Sequence, residues 1–420
     1  MVKFVVGRLF FYFCPKFVAM FYRIFSVLPM IVSLFWIVML LLDNQKNRSK
    51  KFFILLLTII LINFIAHAAY FNHEYETYTV LDTVWVFTSL MIFPLYYYYI
   101  RLLTTDAAVQ HKWAWLALPS LLLTIYSAVI YLLMTPAEVE SFIQGVMYQK
   151  NGYEPYSRLV RLQILRGHLF KILFSVQVIL SLFLGFRLID KYNKKVKAFY
   201  SNIGGKDMTP MKWAAVALSV VSLVSVLANS IGNSYFIARP GLLFIPFAVY
   251  SVCIFFSAYV SYMQRFTIEH FTKNLDEYEF NKVFRGNKPV AHYYIPGMDN
   301  LKSLRDRLIY LLEKIEIFKN PELKISDVSL LLKTNRAYVS KVVNEELKTN
   351  FCDLVNSYRV NYAEELLCSP EQANSLSIAE IAEMSGFSSE SSFYRVFKNK
   401  KGISPGVYKQ HRCNVLAVNG

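Results

Sequence analysis

ISDVSLLLKTNRAYVSKVVN (residues 325–344) and SIAEIAEMSGFSSESSFYRVFK (residues 377–398) decide how the last third of this chain is read. Each is a short amphipathic run, a break and a second amphipathic run, the pattern of two helices meeting at a tight turn. In the first, Ile325, Val328, Leu331 and Leu332 make the inner stripe of a support helix. Lys333, Thr334 and Asn335 make the turn, and Arg336 to Asn344 the second helix. In the second, Ser377 with Glu380 forms a capping box, and Ile378, Ile381 and Ala382 point inward. Gly386 then supplies a positive φ at low steric cost, and Ser388 or Ser389 caps a helix ending near Phe397-Lys398. One such unit is weak evidence, since any helical hairpin with a glycine turn imitates it. Two in tandem, roughly 50 residues apart, are far more specific.

The residues between and around them agree. Asn350, with Asp353 three residues on, caps a longer joining helix whose inner stripe is Phe351, Leu354, Val355, Tyr358, Ala363 and Leu366; Ser369-Pro370 stops it. Upstream, Leu301, Leu304, Leu308, Leu311, Leu312 and Ile315 recur at helical spacing until Asn320-Pro321. Downstream, Ser404-Pro405 opens a last helix with cap and first-turn proline in order.

Further outward the composition changes. Of 420 residues 55% are hydrophobic and 18% charged, well to the apolar side of a soluble protein. Seven stretches are long and apolar enough to cross a bilayer, which takes ~20 helical residues: 24–42, 52–71, 80–100, 113–134, 169–189, 213–236 and 241–262. Tyr96 to Tyr99, Trp113, Trp115 and Trp213 frame several of them at the depth amphipathic rings favour. One large soluble core would need a run of helices apolar on every face, which is a poor alternative. The expected fold class is therefore all-α: a seven-helix transmembrane bundle over 24–262, a connector over 263–300 and an all-α domain with two helix-turn-helix units over 301–420.

The net charge of +16 is distributed in a telling way. Residues 301–420 hold 17 Lys and Arg against 14 Asp and Glu, so most of the excess lies among the apolar stretches. Lys46, Arg48, Lys50 and Lys51 follow the first stretch; Arg187, Lys191, Lys194, Lys195, Lys197, Lys206 and Lys212 follow the fifth; the second is followed only by His73, Glu74 and Glu76. By the positive-inside rule the odd connections face the cytoplasm, and an odd number of spans puts the C-terminal domain there too. Residues 1–23, with Lys3, Arg8, Lys16 and Arg23, run against that rule: a start at Met20 would remove three of the four, or the segment lies in the interface as a basic amphipathic stretch. The connection 135–168, carrying Glu138, Glu140, Glu154, Arg158, Arg161 and Arg166, reads as a small external element and an exposed sensing surface. In the connector, Gln264 to Phe284 could extend the seventh span as a helix before Gly286, Pro289, Pro296 and Gly297 break it. Arg265, Lys273, Lys282, Arg285 and Lys288 would be drawn to anionic headgroups.

The five cysteines show no C-x-x-C pair and the seven histidines no H-E-x-x-H run, so neither a disulfide framework nor a metal centre is expected, and no cofactor. No nucleophile–base or paired-carboxylate pattern suggests an enzyme. Asn63, His67, Asp82, Gln177, Asn229 and Asn233 are polar groups inside the spans and should face the bundle interior. Interhelical hydrogen bonding accounts for them most simply; a ligand pocket in the outer half of the bundle is the functional alternative. Ala215, Ser219, Ser222 and Ser225 in span six permit close helix packing or dimerisation.

Residues 377–410, SIAEIAEMSGFSSESSFYRVFKNKKGISPGVYKQ, resemble the signature of the AraC/XylS family of DNA-binding domains nearly throughout. Tyr338 to Leu367 resembles that family's first recognition helix and linker helix, and the likeness covers roughly 301–412. Multi-span, membrane-anchored members of the family are known, and this chain looks like one. The resemblance implies two recognition helices entering successive major grooves of double-stranded DNA. Carried over by position, the base readers would be Arg336, Ala337, Ser340 and Lys341 in the first unit and Glu390, Ser391, Tyr394 and Arg395 in the second. Lys398, Lys400, Lys401 and Lys409 would meet phosphates. Ala337 departs from the bulky polar residue common there, which makes the second unit the stronger reader. Phe387, Phe393, Phe397 and Tyr408 should be core, and Tyr338 should pack rather than read bases. The function so implied is a one-component transcriptional regulator at a bacterial inner membrane, answering an unknown signal or ligand at the bundle, with a homodimer as a possible assembly. The rival is a receptor or transporter whose C-terminal domain is a protein-interaction module.

Overall fold

The computed structural model describes residues 15–43, 47–72, 75–105, 110–150, 152–231, 242, 244–275, 303–369 and 375–410. Among these every regular element is helical, and backbone bridging between strands is limited to a single antiparallel pair, Tyr200 with Lys324. The all-α expectation holds. The chain divides into two compact units, Met1–Asp190 with Met208–Glu269, and Lys191–Asp207 with His270–Gly420.

The first unit is built from α1 (Pro15–Leu42), α2 (Arg48–Phe71), α3 (Tyr75–Thr104), α4 (Leu118–Leu133), the body of α5 (Arg158–Phe199), α6 (Thr209–Ile231) and α7 (Phe244–Met263). Six described helices are long and apolar enough to cross a bilayer; the corresponding part of α6, Thr209–Ser225, is shorter. Residues 232–236 of the expected sixth span lie outside the described residues, as do residues 1–14 of the N-terminal segment. Pro15 to Arg23 of that segment are simply the first turns of α1. The fifth span, expected over 169–189, sits in a helix of 42 residues. Its polar ends carry no hydropathy signal, so a window of apolar residues sees only the middle. The extension from Gln264 does not run as expected: residues 264–267 are not helical, helix resumes over 268–275, and the rest of 263–300 lies outside the described residues.

Arg166 is the main surprise of this unit. Expected in an external loop, it lies in α5, 3% exposed, with its guanidinium 2.6 Å from the fully buried Asp82 carboxylate of α3. Tyr131 of α4 donates to the same carboxylate at 2.8 Å, and Arg166 also donates to Ser127 Oγ at 3.2 Å. Three helices are thus tied by one buried cluster, the arrangement that an ionised pair in a low-dielectric interior requires. Asn63 Nδ2 donates to Thr88 and Ser89 at 2.9 and 2.7 Å, and Trp85 Nε1 to His67 Nε2 at 3.0 Å. The element expected to be external begins as a single turn, Pro136–Glu140, held by a Thr135–Glu138 capping box, running into Ser141–Met147. Tyr148 returns to the bundle, stacking on Tyr70 with ring centroids 4.7 Å apart and donating to the Tyr70 carbonyl at 2.6 Å.

The second unit contains α8 (Leu304–Glu313), α9 (Ile325–Leu331), α10 (Arg336–Lys341), α11 (Phe351–Cys368), α12 (Ile378–Met384) and α13 (Glu390–Lys401), with a last helical turn over 405–410. Leu308, Leu311, Leu312, Val328, Val339 and Val355 are buried around the first helix pair. Val360, Ala363, Leu366, Ile381, Phe393 and Phe397 form the core of the second, with Tyr408 packed against it. The expected caps are in place: Asn350 accepts from Asp353 N at 3.0 Å, Ser377 and Glu380 form a reciprocal box, and Ser389 rather than Ser388 caps α13.

Candidate nucleic-acid interface

Each helix pair places a short second helix where its first turns can meet a groove. In the first pair, Leu332 ends α9, Lys333 takes a left-handed φ of 50° and Asn335 caps α10 by accepting from Ala337 N at 3.0 Å. Ala337 and Lys341 are exposed, Arg336 and Ser340 half-buried. Val339 alone of this helix is buried, which sets the outward face. Tyr338, expected to pack, is 62% exposed because it falls a full residue short of that inward position. An exposed tyrosine beside Ala337 gives the outward face of α10 an aromatic surface that the alanine does not.

In the second pair the turn depends on Gly386. Its φ is +81°, and a Cβ placed there would lie 2.5 Å from the Phe318 carbonyl oxygen and 2.7 Å from Lys319 Cα. The glycine therefore serves both turn chemistry and the close approach of the loop ahead of α9. Glu390, Ser391 and Arg395 are exposed; Ser391 and Arg395 face away from Phe393 and Phe397, while the half-buried Tyr394 packs against that core. Of the expected phosphate contacts, Lys398 is exposed, Lys400 donates to Ser357 Oγ at 2.9 Å, Lys401 pairs with Glu364 at 2.5 Å and Lys409 donates to the Leu376 carbonyl at 2.9 Å. Lys400, Lys401 and Lys409 thus have partners within the fold.

The two pairs are joined through Arg359 of α11, which is 1% exposed. Its guanidinium donates to the carbonyls of Phe318 at 2.8 Å and Asn320 at 2.7 Å and to Ser201 Oγ at 3.1 Å. Burial brings its pKa down to about 10, and burial with the nearby Asp353 pushes the Cys352 thiol up to about 11. Nothing in the local pattern of α11 marks Arg359 as buried; its partners lie roughly 40 and 160 residues away in sequence. Arg359→Lys keeps a charge but loses the planar fork, and should cost the second unit about 1–3 kcal/mol as carbonyls go unsatisfied. Hydrogen exchange of the α11 amides is the readout.

Residues 330–411 match the family described as a helix-turn-helix domain. Over 111 residues the chain is 29% identical to the uncharacterized HTH-type transcriptional regulator YtdP of Bacillus subtilis, covering 26% of this chain and 14% of that protein. It is 37% identical over 101 residues to the uncharacterized HTH-type transcriptional regulator YfiF of the same species, 23% of this chain and 31% of that one. It is 30% identical over 92 residues to the Msm operon regulatory protein of Streptococcus mutans, 22% and 32% of the two chains. The chain thus spans about a third or less of the length of the curated relatives it matches. No solved structure matches. The C-terminal unit is an AraC-type helix-turn-helix domain.

Proposed function

We propose that this protein is a membrane-held, sequence-specific DNA-binding transcriptional regulator whose C-terminal unit lies in the cytoplasm of a bacterial cell. The observation that carries this reading is the covalent union of two AraC-type helix-turn-helix pairs with helices long and apolar enough to span a bilayer. The named relatives are transcriptional regulators, which favours DNA over a protein partner for the exposed faces of α10 and α13.

Double-stranded DNA would be read by Arg336, Ala337, Ser340 and Lys341 in one groove and Glu390, Ser391, Tyr394 and Arg395 in the next. Arg and Lys suit guanine O6 and N7, and Glu accepts from cytosine N4. Arg395→Ala should cost about 1–3 kcal/mol on the preferred site and relax one base position. A gel-shift series of base variants checks this; an equal loss on every sequence would make Arg395 a phosphate contact instead.

The signal would enter through the bundle. A cavity of about 410 Å³ opens among α2, α3, α5 and α6, lined by Asn63, His67, Trp85, Ser89 and Phe170 among others. Asn63 and His67 of the six polar span residues line it. Asp82 and Gln177 do not, and the side chains of Asn229 and Asn233 lie outside the described residues. The mainly apolar walls suit a small hydrophobic molecule carrying one hydrogen-bonding group.

A further inference from the structure

The connection between α5 and α6 does not stay with the helices it joins. Lys191–Asp207 belongs to the second unit, and its middle is among the most buried stretches there: Phe199 is 3%, Tyr200 2% and Ser201 0% exposed. Leaving the last turn of α5, it lies in a groove made by the loop ahead of α9, by α11 and by the turn ahead of α13. Ser201 N donates to the Leu323 carbonyl at 3.1 Å, beside the Tyr200–Lys324 bridge. Ser201 Oγ accepts from Arg359 at 3.1 Å, its carbonyl from Cys352 Sγ at 3.3 Å, and Asn202 Nδ2 donates to Ser388 Oγ. The Arg336 guanidinium sits 5.7 Å from the centroid of the Phe199 ring, within cation–π range.

We infer that the AraC-type unit carries a groove for a short peptide segment, filled here by Phe199–Asn202 of the same chain at the end of α5, and that this segment and duplex DNA compete for the unit. The inference rests on the DNA-binding reading above. Its physical basis is position. Arg336 is the first residue of α10, and Ser388 immediately precedes the cap of α13. A segment touching the leading ends of both reader helices lies where a duplex spanning two successive major grooves must pass. Arg336 cannot both stack on Phe199 and reach a base or phosphate. The charges of Lys197, Arg359 and Arg395 all act on the Cys352 thiol, which brings Arg395 within electrostatic range of the same groove.

This gives the bundle a grip on the reader. The segment is the direct continuation of α5, a helix unbroken from Gln163 and Arg166, both at the bundle cavity, to Phe199. A ligand that shifts α5 would draw the segment from its groove, and the groove's differential affinity sets how far the population moves.

The test uses the full chain in lipid nanodiscs, with operator fragments selected from genomic DNA at fixed salt. Ser201→Pro removes the amide donated to Leu323, and Asn202→Ala removes the bond to Ser388 while leaving the backbone intact. Competition predicts roughly tenfold tighter DNA binding for Ser201→Pro and about threefold for Asn202→Ala. It also predicts that the Ser201 amide exchanges slowly in the free protein and rapidly in the DNA complex. Unchanged or weaker binding by both variants, or a Ser201 amide still protected in the complex, overturns it; weaker binding would make the segment part of the DNA surface. Rapid exchange at Ser201 in the free protein would overturn the groove itself. Failure of the wild type and both variants to retain any fragment would instead overturn the DNA-binding reading, and with it the competition, whatever Ser201 does.

Discussion

Replacing Asp82 by alanine should destabilise the bundle by about 3–5 kcal/mol, because it leaves Arg166 buried with its charge uncompensated. Asp82 is fully buried, and its carboxylate accepts from Arg166 at 2.6 Å and from Tyr131 at 2.8 Å. The loss should be much smaller when both charges go together: Asp82→Leu with Arg166→Met puts apolar side chains in the same space, a change that is often neutral or stabilising for buried pairs. Thermal unfolding in detergent, followed by the fluorescence of Trp85, distinguishes the two. Equal destabilisation by the single and double variants would mean that the pair shapes the bundle by volume rather than by charge.

Gly386→Ala is expected to cost the second unit about 3 kcal/mol or more. An L-residue in the left-handed region already costs ~1–2 kcal/mol, and here the added Cβ would meet backbone atoms at 2.5 and 2.7 Å, which cannot rotate away as a side-chain end could. Relief requires the 318–319 loop to move off the turn, which would also disturb the Arg359 bond to the Phe318 carbonyl. Limited proteolysis and hydrogen exchange over α11 to α13 should show the second unit opening while the bundle stays protected. Gly402→Ala is the internal control. It shares a φ of +81°, but a methyl group added there would meet no atom within 4 Å, so only the conformational cost remains.

What the sequence made legible is what short-range chemistry determines. Ser377 with Glu380, Asn350 with Asp353 and Gly386 announce their helix ends because a cap or a positive φ involves residues within one turn of each other. The inner stripes of α11, α12 and α13 follow from helical spacing, and Phe393 and Phe397 lie in the core as that spacing requires. The long apolar helices were legible for the same reason, apart from the polar ends of α5. Long-range choices were not. Arg166 carries the same charge as the surface arginines around it, and only Asp82, 84 residues away, makes its burial tolerable. The stretch 191–207 reads as an ordinary basic juxtamembrane connection, since neither its lysines nor Phe199 and Tyr200 say that they will be buried in the second unit. Lys333, Lys348 and Glu316 take left-handed φ values that no glycine or asparagine advertises. Of the expected DNA contacts, Arg336 is engaged with Phe199 and Lys401 with Glu364, and no local pattern could reveal either partner.

If a bilayer-spanning chain reads DNA through both helix pairs, hydroxyl-radical footprinting of genomic fragments by the full protein in nanodiscs should show it without intermediary. Two protected patches are expected on one face of the duplex, centred about one helical turn apart, with Arg395→Ala weakening one patch and Lys341→Ala the other. Protection of a single groove, or a uniform salt-dependent coating with no preferred site, would contradict that reading.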